Sequence, residues 1–149
     1  EFSRIMSLKD GSKKMSKSEL SDLSRINLTD NKDQIINKIK KAKTDPLPMP
    51  KTIKELDERA EAKNLLGIYS SLTSSNLEKS VETFAGKNFS EFKEKLSELL
   101  VDKLEPISIK IKKLLNDQSY LDKILLDGAD KANIIAAEKI KKIKEIVGF

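Results

Sequence analysis

From Asp57 nearly to the last residue, apolar side chains recur every three or four positions, the spacing that lines one face of an α-helix. A chain patterned this way buries its apolar surface by packing helix on helix. Leu65, Leu66, Ile68, Tyr69 and Leu72 supply one stripe, and Leu77, Val81 and Phe84 a second. Phe92, Leu96, Leu99, Leu100, Leu104, Ile107, Ile111 and Leu114 make a long third, and Ala132, Ala136, Ile140, Ile143 and Val147 a fourth. The punctuation fits: Ser75-Asn76-Leu77-Glu78 reads as a capping box, Gly86 as the glycine that closes the helix, and Asn88 before Glu91 as a second box. Pro106 is expected to kink or split the long helix. Ser119 with Asp122 predicts a short helix to Leu126, and Asp127-Gly128 a break before a final helix over 129–147.

Upstream the pattern changes. Asp30 is the expected N-cap of a helix to about Lys43, with Ile35, Ile36, Ile39 and Ala42 on its inner face. Pro46, Pro48 and Pro50 then impose an extended connector. Residues 1–29 lack helical periodicity, are rich in serine and carry short apolar pieces at 5–8 and 26–28, which reads as strand, mobile loop, strand. The predicted class is therefore mainly all-α: a bundle of five or six helices preceded by a short strand-and-loop segment. We divide the chain into 1–29 and 30–149.

Composition narrows the chemistry. The chain has 149 residues, about one domain, with no cysteine and no histidine. That removes disulfides, thiolate nucleophiles, imidazole acid–base catalysis and cysteine or histidine metal sites. No apolar run is long enough to span a membrane, and nothing at the start resembles a secretion signal, so a cytoplasmic protein is expected. The opening Glu1-Phe2-Ser3-Arg4, without an initiator methionine, reads as the start of a piece of a longer protein. Asp33, Glu55, Asp57, Glu58 and Glu61 fit exposed helix faces and helix starts better than a metal centre, and we expect no protein metal site. The formal net charge is +5, and only Arg4, Arg25 and Arg59 are arginines, so the excess is nearly all lysine, which suits a polyanionic partner.

One short stretch carries chemistry: Lys13-Lys14-Met15-Ser16-Lys17-Ser18. Two ammonium groups on a mobile loop can close over a triphosphate and bind hardest as negative charge develops on a departing pyrophosphate. Lys14 and Lys17 are the candidate catalytic pair. Ser16, Ser18 and backbone N–H groups can satisfy phosphate oxygens, Met15 anchors the loop by packing, and Lys13 is the solvated control.

Lys-Met-Ser-Lys-Ser is the loop signature of class I aminoacyl-tRNA synthetases. The flanking Arg4-Ile5-Met6-Ser7-Leu8-Lys9-Asp10-Gly11-Ser12-Lys13 resembles the bacterial tryptophanyl-tRNA synthetase family. So do Ile26-Asn27-Leu28-Thr29-Asp30, Ile39-Lys40-Lys41-Ala42-Lys43-Thr44-Asp45, Asn64-Leu65-Leu66-Gly67-Ile68-Tyr69-Ser70 and Asp127-Gly128-Ala129-Asp130-Lys131-Ala132-Asn133, in family order. The resemblance covers essentially the whole chain and matches the C-terminal portion of those enzymes. It implies that 1–29 is the end of a Rossmann-type catalytic domain and that 30–149 is a helical anticodon-binding domain. It further implies ATP-dependent activation of tryptophan and transfer to tRNA(Trp). Lys14, Met15, Ser16, Lys17 and Ser18 would meet ATP, and Mg2+ would accompany the nucleotide.

Several of Lys110, Lys112, Lys113, Lys139, Lys141, Lys142 and Lys144 are expected to contact tRNA phosphates. Asp127, Asp130, Lys131 and Asn133, at the expected helix start, are the candidates for reading bases. Phe84, Phe89, Phe92 and Tyr69 lie at core spacings and are assigned to packing rather than base stacking. The family implies a homodimeric parent whose dimer surface and tryptophan pocket lie in the missing core, so this chain is expected to be a monomer and inactive alone. The alternative is a non-catalytic, lysine-rich helical module that binds RNA or protein, with a coincidental loop motif.

Overall fold

The computed structural model describes residues 4–148; Glu1, Phe2 and Ser3, read above as the opening of a fragment, lie outside them. Among the described residues there are six α-helices: α1 Lys32–Lys40, α2 Ile53–Asp57, α3 Ala60–Thr73, α4 Leu77–Phe84, α5 Phe89–Leu115 and α6 Gln118–Val147. A single 3-10 turn covers Asp22–Ser24. The all-α class expected from the periodicity is the class found.

The two expected strands do not form. Met6 and Lys14 make one antiparallel bridge, and the backbone groups that follow find partners in different segments. The Leu8 N–H donates to the Ser24 carbonyl at 2.8 Å, while the Leu8 carbonyl accepts from Lys43 N–H at 2.7 Å. Partners scattered this way satisfy the backbone without building a ladder.

Asn31, one residue beyond the expected Asp30, caps α1. Its side chain accepts from Gln34 N–H, and Gln34 Oε1 accepts from Asn31 N–H, a reciprocal capping box. Asp30 is diverted because its carboxylate is buried against Lys38 Nζ at 2.6 Å. At the other end of α1, Lys93 Nζ donates to the carbonyls of Lys40 and Ala42. In the proline connector, the Arg59 guanidinium grips Asp45 with two bonds, at 2.8 and 2.6 Å, and also donates to the Pro48 carbonyl. The short α2 was not evident from periodicity; Thr52 caps it by accepting from Glu55 N–H.

The chain divides into two compact units, Glu1–Ile109 and Lys110–Phe149. The first holds every buried apolar side chain among the described residues, from Leu8 through Ile35, Ile39, Leu65, Leu66 and Phe84 to Phe92, Leu96 and Leu100. Tyr69, Phe84 and Phe92 pack edge to face, with centroid distances of 4.9 Å and 4.8 Å for the two closest pairs. These rings are core, as their spacing indicated. Phe89 is half-buried, with the Arg59 guanidinium over its face at 5.5 Å.

Two expected interruptions are absent. α5 runs unbroken through Pro106, which removes one backbone donor from a helix of 27 residues. α6 runs unbroken through Asp127-Gly128 and begins earlier than predicted, at the Asp117 cap, whose side chain accepts from Tyr120 N–H. A lone glycine costs a helix only about 1 kcal/mol relative to alanine, too little to break thirty residues of backbone hydrogen bonding. The predicted inner face of the last helix, Ala132, Ala136, Ile140, Ile143 and Val147, is exposed, and no residue of α6 is buried.

Candidate functional site

The site begins with a short ribbon, two extended segments joined by the single antiparallel bridge between Met6 and Lys14. Ser7 N–H donates to the Lys13 carbonyl at 2.7 Å and Met15 N–H to the Ile5 carbonyl at 3.1 Å, placing Met6 opposite Lys14. The turn joining the two sides is held by Asp10, whose carboxylate accepts from the Ser12 hydroxyl at 2.6 Å and the Ser12 N–H at 3.0 Å. Those bonds hold the Asp10 carboxyl below the usual carboxylate range. Gly11 sits against the first turn of α3, where an added Cβ would lie 2.7 Å from the Ala60 carbonyl carbon and the Glu61 nitrogen. No larger residue fits there without moving backbone. Glu61 receives Lys43 Nζ at 2.8 Å and the Gly11 backbone N–H, and its carboxyl is held low by Lys43 foremost.

From this ribbon the lysine loop projects into solvent. Lys14, Ser16, Lys17 and Ser18 are exposed, and Ser18 N–H donates to Ser16 Oγ at 3.2 Å. Met15 is half-buried and packs against the core. Lys13, the control, lies 3.5 Å from Asp10; among the described residues no carboxylate lies within ion-pair distance of Lys14 or Lys17.

They share a cavity of about 850 Å³ with Met15 and Ser16. Arg4 and Ile5 line it beside them, and residues 25–29 complete its wall. Among the described residues, four cations, Arg4, Lys14, Lys17 and Arg25, line this space, and none of the lining residues is acidic. Asn27 and Thr29 add polar edges, and Ile5, Ile26 and Leu28 apolar ones. Such a wall suits a polyphosphate joined to a less polar body. Sequence reading did not pick out Arg4 and Arg25 as site members; the available signal was that two of only three arginines flank the lysine motif.

The base-reading candidates lie elsewhere. Asp127, Asp130, Lys131 and Asn133 are all exposed and lie within α6, not at a helix start, because Asp117 and not Asp127 supplies the cap. Lys110, Lys112, Lys113, Lys139, Lys141, Lys142 and Lys144 are exposed too, with Lys142 paired to Glu138 at 2.7 Å. From Lys110 onward nine lysines face six carboxylates. Among the described residues there is no group of three or more acidic side chains placed to hold a metal, and no helix is long and apolar enough to cross a membrane.

The family model of class I tRNA synthetases (W and Y) matches residues 2–105, about seven-tenths of the chain. The chain belongs to that family. It is 51% identical over 146 residues to a tryptophan–tRNA ligase of Caulobacter vibrioides, covering 98% of this chain and 42% of that protein. It is 52% identical to one from Rickettsia felis, covering 98% and 44%. A crystal structure of the tryptophanyl-tRNA synthetase of Campylobacter jejuni, complexed with ADP and tryptophan, superimposes with a TM-score of 0.77 at 25% identity, over 99% of this chain and 44% of that one. The Mycoplasma pneumoniae enzyme gives 0.69 at 26% identity, covering 98% of this chain and 45% of that one. The chain thus spans under half the length of the curated relatives it matches, and what it matches is the C-terminal part of tryptophan–tRNA ligases.

Proposed function

We propose that this chain supplies the nucleotide-gripping loop and a tRNA-binding helical region of a tryptophan–tRNA ligase. In this reading 1–29 belongs with the catalytic domain and 30–149 is the tRNA-binding part. The observation that carries it is the four-cation cavity around Lys14 and Lys17, in a chain whose relatives are tryptophan–tRNA ligases.

In the reaction, the tryptophan carboxylate attacks the α-phosphorus of ATP, the bond to the bridging oxygen breaks, and pyrophosphate leaves with the electron pair. Negative charge builds on the departing β- and γ-phosphates. Lys14 and Lys17, exposed and without a carboxylate partner among the described residues, lie on a loop that can fold onto those oxygens, so their attraction is greatest where the charge is greatest. Ser16, Ser18 and loop N–H groups bind the remaining oxygens, and Met15 keeps the loop seated. Mg2+, when it accompanies ATP, neutralises phosphate oxygens; the chain's part is to complement that charge with ammonium groups.

The aminoacyl group then passes to tRNA(Trp), whose phosphates the lysines of α6 and the end of α5 hold. Asp127, Asp130, Lys131 and Asn133 offer hydrogen-bonding edges to bases. The setting is the cytoplasm, the complete ligase is a homodimer, and this chain alone is a monomer that does not activate tryptophan.

The test is ATP–pyrophosphate exchange in the complete ligase. Alanine at both Lys14 and Lys17 is expected to cut the exchange rate by at least 100-fold, roughly the effect of losing transition-state charge partners. An undiminished rate would refute the reading, and measurable exchange by the 149-residue chain alone would refute its dependence on a further domain.

A further inference from the structure

Two side chains outside the lysine motif hold the two ends of its loop. In the ribbon, the bonds run from Ser7 to Lys13 and from Met15 to Ile5, so Met6 and Lys14 form a non-bonded pair. The N–H and C=O of Met6 therefore point away from Lys14, toward the position of a third strand. Asn64 of α3 occupies it. Met6 N–H donates to Asn64 Oδ1 at 2.9 Å, and Asn64 Nδ2 donates to the Met6 carbonyl at 2.8 Å, so one side-chain amide replaces the peptide group of a neighbouring strand. Asn64 is 2% exposed, which leaves water little chance to compete for either bond.

At the far end of the loop, Arg25 Nη1 donates to the Glu19 carbonyl at 2.9 Å. Its Nε donates to Asn27 Oδ1 at 3.2 Å, and Nη2 lies 3.1 Å from Asp22 Oδ1. The other Asp22 oxygen accepts from Lys38 at 2.7 Å, and Lys38 is buried on Asp30. The guanidinium lines the cavity, and three of its five N–H donors are held by protein acceptors in three directions. A lysine could not reproduce that fork.

We propose that Asn64 and Arg25 are positioning residues that set where Lys14 and Lys17 stand. Asn64 fixes the ribbon under Lys14, and Arg25 latches the chain just beyond Ser18. The anchoring follows from geometry alone; its effect on catalysis rests on the proposed role of the lysine pair. Asp in place of Asn64 keeps the shape but loses the donor to the Met6 carbonyl. Lys in place of Arg25 keeps the charge but loses the fork.

Backbone order parameters from nuclear magnetic resonance on the 149-residue chain read the anchoring with no ligand added. In Asn64→Asp and in Arg25→Lys, values at residues 14–19 are expected to fall while those of α3, α4 and the buried part of α5 hold. Unchanged values at 14–19 in both variants, or a fall spread equally through the helices, would overturn the proposal. In the complete ligase the same variants are expected to lower kcat for ATP–pyrophosphate exchange by about 10- to 100-fold, the scale of an ångström's misplacement, with the KM for tryptophan unchanged. A loose loop with full kcat overturns the positioning role. If instead replacing Lys14 and Lys17 themselves leaves exchange intact, it is the lysine reading that fails, and the order parameters still decide the anchoring.

Discussion

Gly11 shows how one residue links the motif to the fold. It lies at the turn of the lysine ribbon, and its missing side chain lets that turn touch the first turn of α3. Gly11→Ala forces a carbon to within 2.7 Å of the Ala60 backbone, which has no flexible end to yield. We expect a loss of about 1–3 kcal/mol in urea denaturation, the usual cost of overpacking. An unchanged denaturation midpoint would show that the contact is loose. Asp22 gives a second prediction at this scale. Its carboxyl is held below the usual range chiefly by the hydrogen bond from Lys38, then by that from Asn27. The folded chain therefore binds fewer protons here than the unfolded chain does, so this contribution is present above the unfolded value of about 3.9 and is lost as pH falls through the lower folded value. Urea midpoints should drop as pH is lowered from about 4, and Asp22→Asn should flatten that drop.

Helix existence was legible from periodicity, and helix ends were less so. The stripes of α1, α3, α4 and α5 bury or half-bury most of the side chains their spacing singled out, though Ile36, Ile107 and Leu114 are exposed, and Gly86, with a φ of 71°, closes α4 as anticipated. The caps moved by one residue at Asp30 and at Ser75, where Asn31 and Asn76 take the role. A carboxylate drawn into a distant ion pair cannot also cap its own helix, and that competition is tertiary. α2 escaped because five residues are too few to show a period. The break expected at Asp127-Gly128 relied on glycine as punctuation, yet Gly128 has ordinary helical backbone and open space where a side chain would go. Gly128→Ala should therefore raise the helical content and thermal midpoint of the chain, by about 1 kcal/mol of helix stability. A lower midpoint would mean that the glycine is needed for a turn.

At the scale of the molecule, the apolar core and the lysine loop lie in Glu1–Ile109, while lysine outnumbers acid in Lys110–Phe149. The loop motif was legible because its chemistry is local, five residues in a row. Its surroundings were not: Arg4, Arg25 and Asn64 reach it only through a ribbon, a turn and a helix that no single spacing predicts. Arg4 and Arg25 share with Lys14 and Lys17 a cavity that has no acidic lining residue among the described residues. The most direct measurement is a titration of inorganic pyrophosphate into the isotope-labelled chain, followed by backbone and lysine resonances. Saturable shifts confined to 4–5, 14–18 and 25–29, and abolished by alanine at Lys14 and Lys17, are the predicted result. Shifts that scatter over the lysines of α6, or that persist in the double variant, would contradict it.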